Sequence, residues 1–374
     1  MKLDLILVGG GLANGLLADR LAATRPELSF VVLELGATLG GNHTWSFHGS
    51  DVSDSQRKWL ARFCGGNWQA HDVNLPGVTR QIAGSYHSIR SEDFDRELRL
   101  TLGDRVRTSC RVGEVSATRV VLASGEVLEA GAVLDARAQA FDFPAGFQKF
   151  LGQDLELVAP HGLARPMLMD ATVAQLEGFR FVYALPWGER RVLVEDTRYS
   201  DTPELDLTSM RVRIADWVNA RGWKIASVLR EEAAALPIPL GGKVPQPDRP
   251  VLGVAAGLFH ATTGYSLPFA ANLAETLCAL PALDAASLTQ RINRIARTHW
   301  DDQSFFRLLN RMLFRAAAPS ERVKIFSSFY GHDDQLIGRF YAGKLTLADK
   351  VRALRRGAPT VPPIRAMRAA MGLG

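Results

Sequence analysis

Hydrophobic and polar positions follow two different periods along the 374-residue chain, and their order predicts an α/β protein. A run near 3–8, apolar except for Asp4, has the length of a buried strand, and the glycine turn 9–11 and a helical pattern follow it. A second apolar run, 30–33, ends at the acidic Glu34. This order, with a strand, a glycine turn, a helix and a second strand that ends at an acid, is typical of a domain that binds the ADP half of a dinucleotide.

The glycine turn predicts how such a nucleotide is held. Gly9 permits a tight turn, and Gly11 lets backbone N–H groups at a helix N-terminus approach a pyrophosphate. Glu34 is placed to accept hydrogen bonds from a ribose. Asn14 stands where the usual third glycine is expected, with Gly15 one position later, so helix and strand are expected to pack slightly less closely. The predicted cofactor contacts of this unit are Gly9, Gly10, Gly11, Leu12, Ala13 and Glu34.

Further along, the pattern predicts a second, β-rich block and a helical end. Short β-like runs between 106 and 134 form a meander. The later elements are predicted as strands near 167–169, 179–185 and 191–195, an amphipathic helix near 209–220, and helices from about 287 onward. The segment 251–280 contains a long stretch without charge, but its polar turn 260–266 favours a buried strand, a turn and a helix over a membrane span.

Composition narrows the class of protein. The chain is 47% hydrophobic and 22% charged, which is typical of a globular protein of two or three domains. Its three cysteines have no metal-ligand spacing, so they are expected to be reduced in a cytosolic protein, with no metal site. The N-terminus leads directly into the first strand, so no signal peptide is expected.

Positive charge is concentrated at the C-terminal end. Residues 339–374 hold eight basic residues and one acid, a net charge of +7 within a chain of +5. Apolar residues alternate with these cations at roughly helical spacing. The segment is therefore either a solvated helix face packed on the domain or a contact with an anionic membrane surface. No nucleic-acid-binding motif accompanies the charge, so nucleic acid is not predicted as a partner.

Seven strings, taken together and in order, resemble bacterial lycopene β-cyclases, and the resemblance covers nearly the whole chain. The strings are Gly40–Phe47, Met169–Val173, Arg180–Tyr183, Val194–Thr197, Arg230–Glu232, Gly257–Pro268 and Phe340–Thr346. The chain departs from the family pattern at Ala261, where the family usually has Pro, near Ala234 and within 135–138, where the family has Gly. These departures loosen turns beside the expected flavin and replace no expected acid.

The resemblance implies a flavoprotein with an architecture like that of p-hydroxybenzoate hydroxylase. A Rossmann-type FAD-binding domain is expected at 1–74, 90–142 and 246–290, a β-rich lycopene domain at 75–89 and 143–245, and a helical region at 291–374. The implied reaction closes the linear ends of lycopene into β-ionone rings, by way of γ-carotene. It needs reduced FAD, with NAD(P)H as the electron donor, although no net electrons move.

One acidic residue is implied to carry the acid–base step. Glu195 and Asp196 are neighbours in a predicted strand, so their side chains point to opposite faces and only one can enter a cavity. The family pattern assigns the cavity to Glu195; without it, an acid at a strand end is more typical of a solvated surface. Asp170 and Glu231 are lesser candidates.

The resemblance also implies flavin contacts beyond the first turn. These are Gly41, Asn42, His43, Thr263, Gly264 and Tyr265. Trp45 and Phe47 follow the Gly40–Gly41 turn. For both, packing in the core is as good an interpretation as contact with the flavin. His260 is a further candidate, although a single histidine in an apolar turn is more often structural.

Other classes of protein remain open at this point. A flavin monooxygenase or prenyl-chain reductase acting on an isoprenoid shares the fold and the FAD but consumes reductant stoichiometrically, and a carotenoid carrier would need neither the glycine turn nor Glu195. Because lycopene is confined to bilayers, the expected location is cytoplasmic, on the inner face of the membrane. Other carotenoid enzymes are possible partners there.

Overall fold

A computed structural model of the protein describes residues 3–139, 142–357 and 363–370. Its strands are β1 Leu3–Val8, β2 Phe30–Leu33, β3 Thr44–His48, β4 Gly66–Leu75, β5 Val78–Arg90, β6 Val106–Arg107, β7 Val112–Val115, β8 Arg119–Leu122, β9 Val127–Asp135, β10 Ala145–Leu157, β11 Met167–Asp170, β12 Phe179–Pro186, β13 Arg191–Ser200 and β14 Ile225–Pro239. Its helices are α1 Leu12–Thr24, α2 Asp54–Leu60, α3 Ser91–Leu102, α4 Leu207–Asn219, α5 Leu267–Cys278, α6 Ala285–Asp302, α7 Ser304–Arg311, α8 Arg322–Phe329, α9 Asp334–Tyr341, α10 Leu347–Gly357 and α11 Pro363–Ala370.

The first sheet has the strand order β6-β2-β1-β9-β8-β7. Strand β1 runs parallel to both β2 and β9, with Leu7 opposite Val32 on one side and Leu134 on the other. Both faces are covered, which explains why these strands are continuous apolar runs. The predicted Rossmann-type unit is confirmed, and α1 packs between this sheet and α5.

Asn14 fastens α1 to the sheet. Its side-chain amide donates to the carbonyl oxygens of Val8 at 3.0 Å, Gly9 at 3.0 Å and Leu134 at 3.3 Å. Three carbonyls at the ends of β1 and β9 therefore have a common donor, which ties the start of α1 to the sheet. Gly15 serves a different contact: a Cβ there would lie 2.6 Å from the ring of Phe94 in α3.

The second sheet has eight strands in the order β14-β10-β13-β12-β11-β4-β5-β3. It is antiparallel except where β11 runs parallel to β4. The predicted FAD-binding range 1–74 thus includes β3 and all but the last residue of β4, although both strands belong to the second sheet. Strand β3 pairs with β5, which lies about forty positions later, and alternation within a strand does not reveal its neighbours.

The two faces of β13 meet different surroundings. Val192 and Val194 face α4, where they pack against Met210 and Ile214. Leu193 and Tyr199, on the opposite face, join an apolar cluster formed with the C-terminal helices. The strand thus separates a helix-covered face from a face that is directed toward the interior of the molecule.

As predicted, the uncharged segment after 250 returns to the first sheet, but it pairs there through a single residue and not through a full strand. Val251 forms a single parallel bridge with Asp135, and a turn of 3₁₀ helix follows at Gly253–Ala256. The predicted helix is α5, which has Ser266 at its N-cap and Pro268 in its first turn. The Ser266 side chain makes no capping hydrogen bond, so the backbone of this turn is fixed by other contacts.

Candidate active site

A cleft of about 550 Å³ lies between the first sheet and the second. Gly11, Leu12 and Ala13 line it at the N-terminus of α1, and residues 136–139 and 253–255 line it from the neighbouring loops. A Cβ at Gly11 would meet no atom within 4 Å, so the first backbone N–H groups of α1 are open to the cleft. A helix N-terminus that is open to a cleft of this size suits the pyrophosphate of a dinucleotide.

Gly9 and Gly10 directly precede the residues of α1 that line this cleft, and Glu34 is bonded to Gly10. Gly9 adopts a left-handed φ of 90°, which a glycine tolerates without strain. The N–H of Gly10 donates to Glu34 Oε2 at 2.7 Å, and the N–H of Gly36 donates to Oε1 at 2.7 Å. A carboxylate has about four acceptor positions, so two remain for a ribose. The residues present fit a dinucleotide.

A second, smaller cavity of about 120 Å³ adjoins the cleft. Trp45 and Ser266 line both spaces and therefore mark the point where they meet. Six further aromatic rings contribute to the wall of the smaller cavity. They belong to Phe150, Phe181, Tyr183, Tyr199, Tyr265 and Tyr341.

Glu195 lines this cavity, and the solvent-accessible part of its side chain faces the cavity. Burial within the molecule raises the pKa of Glu195 to about 8, with smaller increases from Glu232 and Asp196. The hydroxyl of Thr197 donates to Glu195 Oε1 and opposes this shift. The carboxyl is therefore protonated at neutral pH, and one of its oxygens has no other partner in the part of the chain that the structure describes.

Glu195 is one member of a row of side chains across four strands. Gly152 lies opposite both Glu195 and Glu232, and Tyr183 lies opposite Glu195 on the other side. Residues directly opposite share a sheet face, so the two glutamates are separated by a glycine alone. A Cβ at Gly152 would lie 3.3 Å from Glu232 Cγ. The glycine thus leaves room for a second buried carboxyl beside the first.

Glu232 has its own polar partners. Its Oε2 lies 3.0 Å from a guanidinium nitrogen of Arg230 and 4.0 Å from His43 Nδ1. Burial raises the pKa of Glu232, whereas Arg230 and Thr44 lower it. Burial and the charge of Arg230 lower the pKa of His43 to about 4, so this imidazole is neutral at physiological pH. His43 also lines the cavity.

Asp196 has a structural environment. It is fully buried on the α4 side of β13, where its carboxylate accepts hydrogen bonds from Arg180 and Arg198. Strand alternation thus separates the two neighbouring acids as predicted: Glu195 faces the cavity, and Asp196 faces an ion-pair network.

A chain of hydroxyl groups crosses the cavity wall. Ser46 Oγ lies 2.9 Å from Tyr183 Oη, which lies 2.9 Å from Tyr86 Oη, and Tyr265 Oη follows at 3.1 Å. Ser88 extends the chain from Ser46 at 2.8 Å. Burial raises the pKa of all three tyrosines well above 10, so the chain is neutral.

The other predicted site residues fall into two groups. Thr263, Gly264 and Tyr265 line the cavity beside Glu195. Gly41 and Asn42 are exposed, and the Asn42 amide donates to the Glu231 carbonyl at 2.7 Å. The first group therefore lies beside Glu195, and the second lies where the segment before β3 meets β14.

Three residues that the sequence offered as weaker candidates, His260 for flavin contact and Asp170 and Glu231 for acid–base chemistry, all make structural contacts. His260 Nε2 lies 2.9 Å from the Phe340 carbonyl, and its Nδ1 accepts from the N–H groups of Thr262 and Thr263. Asp170 accepts from Trp217 Nε1 at 2.9 Å and forms an ion pair with Arg221 at 2.7 Å. Glu231 pairs with Arg211.

Sequence reasoning missed Glu232, Tyr86 and the hydroxyl chain. Glu232 was visible only as part of a family string, and Tyr86 stands in a stretch with no recognisable motif. Because the members of the hydroxyl chain come from β3, β5, β12 and the turn before α5, their proximity depends on strand order.

The cleft, the two sheets and the cavity at their junction define a class: the Rossmann-type fold of flavin-dependent oxygenases, halogenases and reductases. A geranylgeranyl bacteriochlorophyll reductase-like protein from Thermoplasma acidophilum is similar at 12% identity and TM-score 0.61, over 100% of this chain and 99% of that chain. HpxO from Klebsiella pneumoniae, complexed with FAD, is similar at 15% identity and TM-score 0.59, over 96% of this chain and 100% of that chain.

Within that class, the chain belongs to the lycopene cyclase family, whose model, described as lycopene cyclase protein, matches residues 4–368. The lycopene beta-cyclase of Pseudescherichia vulneris is 46% identical over 98% of this chain and 97% of its own length. The lycopene beta-cyclase of Pantoea ananas is 44% identical over 98% of each chain. Among the residues that the structure describes, no helix combines the length and hydropathy needed to span a membrane.

Proposed function

We propose that this protein closes the linear end groups of lycopene into β-ionone rings, with γ-carotene as the intermediate and β-carotene as the product. Family membership supports the substrate and the reaction. The observation that carries the mechanism is the position of the Glu195 carboxyl, whose pKa burial raises, in a cavity with aromatic walls that adjoins the proposed dinucleotide cleft.

Glu195 is the proposed acid. With a pKa of about 8, its carboxyl holds a proton at neutral pH and can deliver it to a terminal alkene. Protonation produces a tertiary carbocation, the neighbouring double bond attacks it, and the ring carbon then loses a proton. The proton gained equals the proton lost, so substrate and product are isomers.

The walls of the cavity are suited to a cationic intermediate. The faces of aromatic rings stabilise nearby cations, and Trp45, Tyr183 and Tyr265 all line the space that Glu195 faces. The hydroxyl groups of Tyr183 and Tyr265 are neutral, so neither would compete with the substrate for the proton of Glu195 as a phenolate would. A water-poor cavity also strengthens each electrostatic interaction within it.

The cleft is the proposed FAD site. Gly11, Leu12 and Ala13 would hold the pyrophosphate, Glu34 the ribose, and the turn 263–265 the end of the cofactor nearest the cavity. In its reduced, anionic form FAD would supply negative charge next to the carbocation. NAD(P)H is the proposed source of the electrons that reduce it.

The competing function is that of an oxygenase or prenyl-chain reductase, since both share this fold. They differ from a cyclase in what they consume. Anaerobic incubation with lycopene and a measured amount of chemically reduced FAD should give β-ring product in excess of the reductant, because the reaction moves no net electrons. Pigments would be separated and counted against the reductant. One reductant consumed per ring would support the reductase instead, and a requirement for oxygen would support the oxygenase.

We further propose that the C-terminal helices dock on the cytoplasmic face of the membrane. The outer surfaces of α10 and α11 expose Leu347, Val351, Ile364 and Met367 beside basic side chains. Exposed apolar residues mixed with cations are typical of contacts with anionic bilayers. The inner surfaces of both helices pack on the rest of the protein. The predicted packed face is therefore the inner surface of these helices, and the proposed membrane contact is their outer surface.

Not every cation of this segment is available to a membrane. Arg339 and Arg352 both bond to the buried carboxylate of Asp349, at 2.7 Å and 2.6 Å. These contacts hold the pKa of Asp349 far below its usual range, chiefly through Arg339. Arg355, Arg365 and Arg368 are exposed and are the better candidates.

Changing Arg355, Arg365 and Arg368 to Gln should weaken binding to anionic vesicles by up to about 100-fold at low salt, from about 1 kcal/mol per cation. Vesicle co-sedimentation and turnover of vesicle-held lycopene would both fall, whereas turnover in detergent should not. Arg111, Arg119 and Arg294 are also exposed, and changing them to Gln provides a control of equal charge. Equal loss in the control, or binding that does not respond to salt, would contradict a specific docking face.

A further inference from the structure

A third cavity, of about 110 Å³, lies between the cavity of Glu195 and the C-terminal helices. Met169, Tyr199, Thr263 and Tyr341 line both spaces. Four shared wall residues make the two cavities neighbours across a single layer of side chains. A chain that reaches Glu195 from this side would therefore cross no other part of the core.

The far end of the third cavity lies between α8 and α10. Phe326 and Phe329 line it from α8, and Ala353, Leu354 and Arg356 line it from α10. Arg356 is exposed, so the cavity reaches the surface of the molecule at this helix. The route from Glu195 thus ends at the helix pair, and its walls are predominantly apolar.

Few polar contacts hold α10 against α8 at this place. Ser328 Oγ donates to the Arg356 carbonyl at 2.9 Å. The guanidinium of Arg356 lies over Gly331, where a Cβ would come within 2.1 Å of it, so the absence of a side chain at 331 allows this position. In the middle of α10, Arg352 pairs at 2.8 Å with Asp333, which caps α9 and not α8.

The same helix carries two different faces. Ala353 and Leu354 face the cavity, whereas Leu347 and Val351 are 80% and 42% exposed on the outer surface, next to Arg355. The mouth of the cavity is therefore bordered by an apolar and cationic surface of the kind that binds anionic bilayers. An apolar chain that left a bilayer here would pass directly between protein side chains, without exposure of its surface to water.

We propose that the gap between α8 and α10 is the route by which an isoprenoid polyene moves from an anionic bilayer to Glu195. This inference rests on the proposed function and adds to it the path of the substrate. The occupant is the linear end of one polyene chain, and the membrane supplies it at the outer face of α10.

The test blocks the route after the protein has folded. Ala353→Cys holoenzyme would be purified and then modified with benzyl methanethiosulfonate, which places a group of about phenylalanine size in the gap. Turnover of lycopene in anionic vesicles should fall about tenfold or more, since a close-packed passage has no room for the added ring. Turnover in detergent should fall equally, and dithiothreitol should restore both. Vesicle binding and FAD content should not change.

Val212→Cys is the matched control, because residue 212 lies in α4, is 50% exposed, and lines neither the three cavities nor the proposed docking face. Unmutated protein, treated in parallel, controls for Cys64, Cys110 and Cys278. Undiminished turnover by modified Ala353→Cys would overturn the route, and so would a loss of vesicle binding, because the block would then act on docking. Failure of the proposed function is distinguishable: the unmodified enzymes would then form no β-ring product.

Discussion

Glu195→Gln is expected to reduce cyclisation by about 10²-fold or more while FAD binding is retained. Glutamine keeps the size of the side chain and can accept the hydrogen bond from Thr197, but it has no acidic proton to deliver to an alkene. The measurement is β-ring formation per bound flavin. Cyclisation that stays within a few-fold of the parent enzyme would remove Glu195 from the proton transfer.

The pH profile provides a second measure of the same group. Because the protonated form is the donor and its pKa is about 8, turnover should be level below pH 7 and fall about tenfold per unit above pH 8. Thr197→Val removes a hydrogen bond that lowers this pKa, so it should move the alkaline decline to higher pH. A decline that stays in place in this variant would assign the titration to another group.

Glu195→Gln should change stability in the direction opposite to its effect on activity. The pKa of Glu195 is raised from 4.5 to about 8 on folding, so its contribution is complete below pH 4.5 and is lost as pH rises through 8. At pH 7 this titration lowers the free energy of unfolding by on the order of 3 kcal/mol. The variant Glu195→Gln has no carboxyl at this position and should not show that decrease. We therefore expect the variant to unfold at higher denaturant concentration than the parent at pH 8, with little difference at pH 4.5.

The sequence predicts the parts of this site that depend on local rules. The glycine turn, α1 and Glu34 are adjacent along the chain, and their order alone specifies a nucleotide cleft. The opposite orientation of Glu195 and Asp196 follows from the period of a strand. Which of the two faces the cavity depends on what covers each face, and this was known only through the family resemblance.

Strand order supplies what the sequence does not reveal. Gly152 brings Glu232 next to Glu195 because β10 pairs with both β14 and β13, although these strands are distant along the chain. For the same reason β3 joins the second sheet, and Ser46 meets Tyr183. Pairing of this kind is a property of the whole fold, so no local pattern of residues predicted it.

Asp196→Asn is expected to affect stability rather than chemistry, with a loss of about 3–5 kcal/mol in the free energy of unfolding. Asp196 is fully buried between Arg180 and Arg198, which are themselves almost inaccessible to solvent. An amide in its place leaves two buried guanidiniums with less compensating charge. Arg198 retains Glu177 at 2.7 Å, so the larger deficit falls on Arg180.

The contrast with Glu195 makes the pair of variants informative. Urea unfolding measures the loss of stability, and turnover per folded enzyme at 25 °C should stay within about tenfold of the parent, because Asp196 lies on the face of β13 away from the cavity. The double variant Asp196→Leu, Arg180→Met removes both charges and should lose less stability than Asp196→Asn. Turnover abolished by Asp196→Asn at unchanged stability would mean that Asp196, and not Glu195, acts on the substrate.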